Sequence, residues 1–444
     1  MCLKGIFMKK YVVVGTGGRS SMFIRALCGD FKEHGQLVAF CDPNQARMDY
    51  YNNLIKEEYD HAPVPTYAHY DFDRMIAEQK PDAVIVTSVD RTHHSYICRA
   101  MELGCDAITE KPMTTDAEKC QQIIDCIGKT GRDLKVCFNY RYAPRNTKVK
   151  EVLKAGTIGE IISIHFEWLL DTSHGADYFR RWHRDKRNNG GLLVHKSTHH
   201  FDLINWWINS VPETVFAMGD LRFYGKDNAE ARGVREFYQR CRGSEIAAKD
   251  PFALKINPDN KALMGLYFNA EHLDGYYRDR SVFSDGISIE DTMSVMIRYR
   301  NKVNMTYSLN AFCPWEGYRV VFNGNAGRLE YNVVETPFLD REQPDNLVIP
   351  GMREIEDKTN LIPEIIVQQL WGKPKVVEYE QGDTSGHGGG DARLLGDIFV
   401  GDREDTLGHA AGYLDGAYSC LSGIAANESM KTGMPVKVAD LVKF

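Results

Sequence analysis

A bare apolar run, Tyr11-Val12-Val13-Val14, passes straight into Gly15-Thr16-Gly17-Gly18-Arg19-Ser20, and a helical pattern follows to about Gly35. A strand that turns into a helix through closely spaced glycines constrains the fold more than any other feature of the chain. Glycines let the backbone turn tightly and approach a pyrophosphate, which the helix N-terminus then stabilises. The sixth position is Ser20 instead of a third glycine, a small departure where helix packs on strand. Alone, such a hexapeptide is also an ordinary Gly-rich turn, and its context decides between the two. A second apolar run, Leu37 to Cys41, ends at Asp42. That carboxylate can accept hydrogen bonds from a ribose 2′-hydroxyl and would repel a 2′-phosphate. The spacing exceeds the usual ~20 residues, which predicts a long intervening helix. NAD is the expected cofactor, with Arg19 and Arg47 leaving NADP open.

Three further apolar runs follow, Ala83 to Val86, Asp106 to Thr109 and Val136 to Phe138, separated by helical patterns. Near-continuous apolar strands alternating with helices indicate a parallel sheet covered on both faces. The predicted fold is α/β: a doubly wound Rossmann domain over 1–143, then an α+β domain over 144–444 with a mostly antiparallel open sheet. In the second domain Ile161 to Leu169 reads as a strand and Leu192 to Ile208 as an apolar helix. Alternating runs at 292–298, 302–309, 318–323 and 328–333 read as an antiparallel meander. A last helix runs from about Thr406 to Lys431 and ends at Gly433. Insertions near 220–280 and 335–395 are expected to overhang the cleft and carry substrate specificity. The balance of 54 basic and 61 acidic residues offers no footprint for nucleic acid. No apolar stretch reaches the roughly 18 residues of a membrane helix. The eleven scattered cysteines, without a Cys-x-x-Cys, read as reduced thiols of a cytoplasmic protein.

Three segments fall at the carboxyl ends of predicted strands, where ligands gather in such sheets. They are Thr87-Ser88-Val89-Asp90-Arg91-Thr92-His93-His94, Glu110-Lys111-Pro112 and Asn139-Tyr140-Arg141-Tyr142. Here the chain resembles the Gfo/Idh/MocA family of NAD(P)-dependent sugar and inositol dehydrogenases, over roughly residues 9–215 and 285–335. The resemblance implies that Glu110 flanks the cofactor, that Lys111 reaches the substrate hydroxyl, and that a cis peptide bond precedes Pro112. Thr87, Ser88, Asp90, His93, Asn139 and Arg141 are expected to line the cofactor. An ammonium partly desolvated beside a nicotinamide cation would also have a lowered pKa, so the chemistry of Lys111 agrees.

The second-domain motif is Gly190-Gly191-Leu192-Leu193-Val194-His195-Lys196-Ser197-Thr198-His199-His200-Phe201-Asp202. By the resemblance His199 falls on the family's catalytic histidine and Asp202 on its downstream aspartate. His195 stands where the family usually has aspartate. Imidazole titrates near neutrality, so His199 is the candidate base, with Lys111 and His195 as its partners in catalysis. Six of the 14 histidines fall between His165 and His200, a clustering that suits a polar cleft. His195 and His199 are also i and i+4, which is metal-ligand spacing, although no metal is expected. Tyr178, Trp182 and Arg184, together with Lys196 and His200, are candidates to hold a sugar through stacking and hydrogen bonds. Ordinary packing is the competing reading for these residues. Gly386-His387-Gly388-Gly389-Gly390-Asp391 reads as an active-site loop bearing His387, with Asp391 as the following N-cap. It resembles the His-Gly-Gly loop of the NAD-dependent α-N-acetylgalactosaminidase offshoot of the family.

Two activities fit this pattern. One is oxidation of a secondary hydroxyl of a sugar or glycoside by hydride transfer to NAD. The other is a redox-neutral glycoside hydrolase or lyase that retains NAD and works by transient oxidation and elimination. The expected partner is a small carbohydrate, with no nucleic acid and no membrane, in a homo-oligomer (a dimer or tetramer).

Overall fold

The computed structural model describes residues 8–339, 364–380, 385–401 and 404–444, with the side chains of 385–387 also left out. Six strands, β1 (Lys9–Val14), β2 (Gly35–Cys41), β3 (Thr66–Tyr67), β4 (Ala83–Val86), β5 (Asp106–Thr109) and β6 (Leu134–Val136), form one sheet. Its order is β3-β2-β1-β4-β5-β6, and every pairing is parallel. Alternate residues supply two separate cores. Val12, Val14, Val84 and Val86 pack into one, and Tyr11, Val13, Ala83 and Ile85 into the other. Burial on both faces explains why these strands read as unbroken apolar runs.

The helix after the glycine loop is short, Ser21–Cys28, and not the long one expected from the spacing. Gly29 ends it with its N–H on Arg25 O. The extra length is a turn over 29–34 whose residues 32–34 face solvent.

The second sheet is built from β7 (Ile161–Asp171), β8 (Pro212–Asp220), β9 (Thr292–Tyr299), β10 (Asn304–Cys313), β11 (Glu316–Gly324), β12 (Gly327–Thr336), β13 (Glu364–Gln369), β14 (Lys375–Val376) and β15 (Val436–Lys437). The order β14-β13-β12-β11-β7-β10-β9-β8-β15 corrects the meander. β7 lies between β10 and β11, parallel to the first and antiparallel to the second. Pro314, which has no amide to donate, sits in the two-residue link and helps keep β10 and β11 from closing as a hairpin. The other described pairings are antiparallel. Ile164, Phe166, Trp168 and Leu170 of β7 point into the core, at 0–2% exposure.

Two helices lie against this sheet, Thr198–Ile208 and Tyr413–Thr432. The expected helix over 192–208 is interrupted, with Leu192–His195 forming a separate turn. Ser197 N reaches Leu192 O at 2.9 Å, one residue beyond the α-helical partner, so the chain widens before restarting. The last helix starts at Tyr413, later than predicted, and ends at Gly433 in the left-handed region as the sequence suggests. The ten described cysteines are free thiols, buried except for Cys98 and Cys313.

A buried ion pair locks the end of the nucleotide sheet to both helices. Arg141 forks onto Asp202 at 2.8 and 2.5 Å, and also reaches Asp415 at 2.8 Å and Gly408 O at 3.1 Å. Arg141 and Asp202 are 2% and 1% exposed. These contacts engage Nε, Nη1 and Nη2 of Arg141, expected from the sequence to line the cofactor, in tying the two domains together. Asp202→Asn should cost about 3 kcal/mol, because a buried cation loses its bidentate partner. A urea denaturation curve on the variant checks this, and an unchanged midpoint would contradict it.

Candidate active site

The nucleotide end of the cleft is shaped by backbone contacts. Gly15 has φ +86°, and a Cβ there would lie 2.5 Å from Ser88 N and Cα. Only glycine lets β1 turn against the loop after β4. Its N–H donates to Cys41 O at 2.8 Å, and Thr87 Oγ1 donates to its carbonyl at 2.6 Å. At Gly17 a Cβ would meet nothing within 4 Å, so the space before the helix is open. Ser20, in place of the third glycine, closes the loop by donating to Gly17 O at 2.7 Å. Asp42, 5% exposed, accepts from Thr16 N at 2.6 Å and from Asn44 N at 2.8 Å. Burial pushes its carboxyl above the usual range, opposed by Arg47 and these amides. An open, glycine-walled space ahead of a helix, with a carboxylate at the tip of β2, fits a dinucleotide.

The other predicted cofactor residues divide. Arg19 donates to Glu110 at 2.6 Å and lies 3.7 Å from Asp391. Asn139 Nδ2 donates to Asp391 Oδ1 at 2.5 Å. The His93 ring is wedged between Pro112 O at 2.8 Å and Ser88 O at 3.0 Å, so it braces two loops. The bond between Lys111 and Pro112 is cis. Residues Ser385–Phe399 are helical, so Asp391 lies inside a helix and is not the cap that the glycine-rich stretch suggested. Gly390 is pressed against this site, and a Cβ there would stand 2.2 Å from Asn139 O. The His387 side chain lies outside the described residues.

At the reaction end Lys111 and His195 meet, and His199 lies on the following helix. Lys111 Nζ donates to His195 O at 3.2 Å. Burial lowers its ammonium to about 8, with the Asp90 carboxylate pulling upward and the Lys196 cation pushing further down. His195 Nδ1 is 2.5 Å from Asp90 Oδ2. Burial and then the Lys111, Arg181 and Lys196 cations hold this ring well below the usual imidazole range, so its protonation is disfavoured. His199 stacks on Tyr140, with centroids 4.3 Å apart and planes at 15°, and Phe138 lies edge-on to it at 6.2 Å. Lys196 Nζ sits 4.8 Å above the Trp168 ring and 6.0 Å from that of Tyr140. Tyr178, Trp182 and His183 surround His195, with ring centroids 5.6, 6.1 and 4.3 Å away.

Two predicted substrate residues are not in this group. His200 is fully buried, stacked on Trp168 at 4.0 Å and bonded to Tyr307 Oη at 2.7 Å. Arg184 donates to Ser281 O, Ser284 Oγ and Asp285 O, and so anchors the insertion. His195, His199 and His200 thus point to different partners, and among the described residues no three His, Cys, Asp or Glu side chains gather as a metal site. Residues the sequence reading passed over also frame the cleft. Asp177 holds Arg181 at 2.9 Å and Arg278 at 3.3 Å, and His174 pairs with Glu316 at 2.8 Å. Neither Asp177 nor Glu316 belongs to a motif, so only proximity in the fold reveals them. Asp90, expected to line the cofactor, meets the His195 ring.

The fold and this site define an oxidoreductase with a Rossmann nucleotide domain and an open-sheet second domain. Two family profiles match, "Oxidoreductase family, NAD-binding Rossmann fold" over residues 9–138 and "Oxidoreductase family, C-terminal alpha/beta domain" over 150–438. The chain belongs to the Gfo/Idh/MocA oxidoreductase family. It is 34% identical to a Bacillus subtilis (strain 168) protein named as an oxidoreductase, YteT, across 98% of this chain and 99% of the relative. It is 31% identical to the D-glucoside 3-dehydrogenase of Escherichia coli (strain K12), across 28% of this chain and 34% of that one. In fold it is similar to an aldose-aldose oxidoreductase from Caulobacter crescentus solved with glycerol (TM-score 0.62, 16% identity, 97% of this chain and 99% of that chain). Among the described residues no helix is long and apolar enough to cross a membrane.

A Lys111 ammonium that must donate to substrate is charged below its pKa and loses its proton as pH rises through about 8. The oxidoreductase rate should therefore fall above about pH 8. Lys111→Arg, which stays charged, should move that limb upward. A wild-type profile flat to pH 10 would contradict this role.

Proposed function

We propose that this protein is an NAD-dependent oxidoreductase that oxidises a secondary hydroxyl of a sugar or glycoside. The reading is carried by the meeting of Lys111 and His195 at the carboxyl end of a dinucleotide-type sheet. Residues 1–143 would hold the nucleotide and 144–444 the substrate. Bound NAD would supply the hydride acceptor. Lys111 donates to the hydroxyl oxygen and keeps it in place. His199, held flat on Tyr140, takes the hydroxyl proton as the carbon loses hydride, which leaves a ketone. His195, oriented through Nδ1 by Asp90, keeps Nε2 for a neighbouring hydroxyl. The rings of Tyr178 and Trp182 offer faces to sugar C–H surfaces.

NAD is favoured over NADP because both nearby arginines are already engaged. Arg19 is on Glu110 and Arg47 is on Asp274 at 2.7 Å, while the Asp42 carboxylate would repel a 2′-phosphate. A homo-oligomer is supported by Met218 and Met296, 66% and 59% exposed on the outer face of the second sheet. A cytoplasmic setting is supported by the free thiols.

The test mixes full-length protein with a panel of glycosides and NAD, and follows NADH, free or protein-bound, together with the keto product by mass spectrometry. NADH and a ketone should appear, with NADP a poor substitute. His199→Ala should slow NADH formation by about 100-fold or more. Aglycone release with no net accumulation of NADH would favour the redox-neutral hydrolase. An unaffected His199→Ala rate would remove the assigned base.

A further inference from the structure

The first insertion does not simply overhang the substrate end. Residues 261–278 cross to the nucleotide domain and are tied to it at several points. Tyr267 Oη accepts from Gly18 N at 3.2 Å. Arg47 donates through Nε to Leu266 O at 2.8 Å, and its Nη1 pairs with Asp274 at 2.7 Å. Asn44 Nδ2 donates to Ala270 O at 2.9 Å. Leu266 is 2% exposed and packs in the same core as Val13, Phe23, Met48 and Tyr51. Gly265 passes so close to Tyr50 that a Cβ would lie 2.4 Å from its ring. Beyond the strap, Arg278 covers the Tyr267 ring at 4.7 Å and is fixed by Asp177.

Gly18 N is one of the loop amides that face a pyrophosphate in this kind of turn. The Tyr267 hydroxyl accepts from it where a phosphate oxygen would. A phenol also donates, so it can yield the amide to phosphate and then donate to the same anion. Letting a nucleotide out past the strap would require separating the Arg47–Asp274 pair and withdrawing Leu266 from the core.

We propose that residues 264–276 are a clamp on the nucleotide, with Tyr267 as a pyrophosphate ligand, and that opening of this clamp limits the rate at which NADH leaves and NAD replaces it. This rests on the reading of the chain as NAD-binding. In the test, full-length protein is purified without added nucleotide, desalted and denatured with acid, and NAD(H) is measured by chromatography. Wild type should yield close to one nucleotide per chain. Exchange with radiolabelled NAD should be slower than reduction of the bound cofactor by sugar. Tyr267→Phe and Asp274→Asn should each raise the dissociation rate at least tenfold, with far-ultraviolet circular dichroism unchanged. If these variants fold poorly, Asn44→Ala, which removes only the Ala270 tether, should show the same change in smaller measure.

Rapid exchange in wild type would overturn the clamp while leaving the oxidoreductase reading intact. Tighter binding in Tyr267→Phe would overturn it as well, since the hydroxyl would then be a plug and not a ligand. Retention undiminished in all three variants would overturn the assignment to this strap. Absence of any NAD binding, in extract or in titration, would overturn the oxidoreductase reading and the clamp with it.

Discussion

The position of the reaction centre depends on one buried cation. Arg141 lies in the last turn of the nucleotide domain and is held by carboxylates from two helices of the second domain. A guanidinium buried this far requires its partners, because an unpaired charge away from water is costly. The same turn carries Tyr140, and the helix that offers Asp202 also offers His199. Closing the ion pair therefore brings the imidazole flat onto the tyrosine. The distance between nucleotide loop and candidate base is in this way set by an electrostatic bond that has no part in the chemistry.

Around that anchor, polar groups do different work from what their neighbours in sequence suggest. His93 and Asn139 are used to fasten loops, Arg184 to fasten an insertion, and His200 to fill an aromatic core. Lys111, His195 and Lys196 are enclosed with few compensating charges. Burial lowers the proton affinity of all three, and neighbouring cations lower it further for Lys111 and His195. A Lys111 donor that titrates near pH 8 follows from that enclosure.

The parallel sheet was legible because burial on both faces leaves an unbroken apolar signature in each strand, and the glycine loop because only glycine tolerates the approach to Ser88. Lys111, His195 and His199 stand out as candidates from local motifs alone. What escaped has physical reasons. β8, β13 and β15 face solvent on one side or are too short to show a period. β10 and β11 read as hairpin neighbours because adjacency in sequence says nothing of a third strand entering between them. Asp42 and Gly15 were separated by a turn and not by a long helix, which spacing alone cannot distinguish. Tyr267, Asp274 and Asp177 make contacts more than a hundred residues away along the chain from short helical segments, so no periodicity or motif marks them.

Asp42 carries a consequence for how this protein could diverge. Both of its oxygens already brace backbone amides, one of them in the glycine loop itself. Trading it for a neutral residue to admit a phosphorylated ribose would also unfasten the turn that cradles the pyrophosphate. On the proposed NAD reading, cofactor preference and loop rigidity are thus written in a single side chain. A lineage or an engineer changing one would need to rebuild the other, beginning with a new acceptor for Thr16 N.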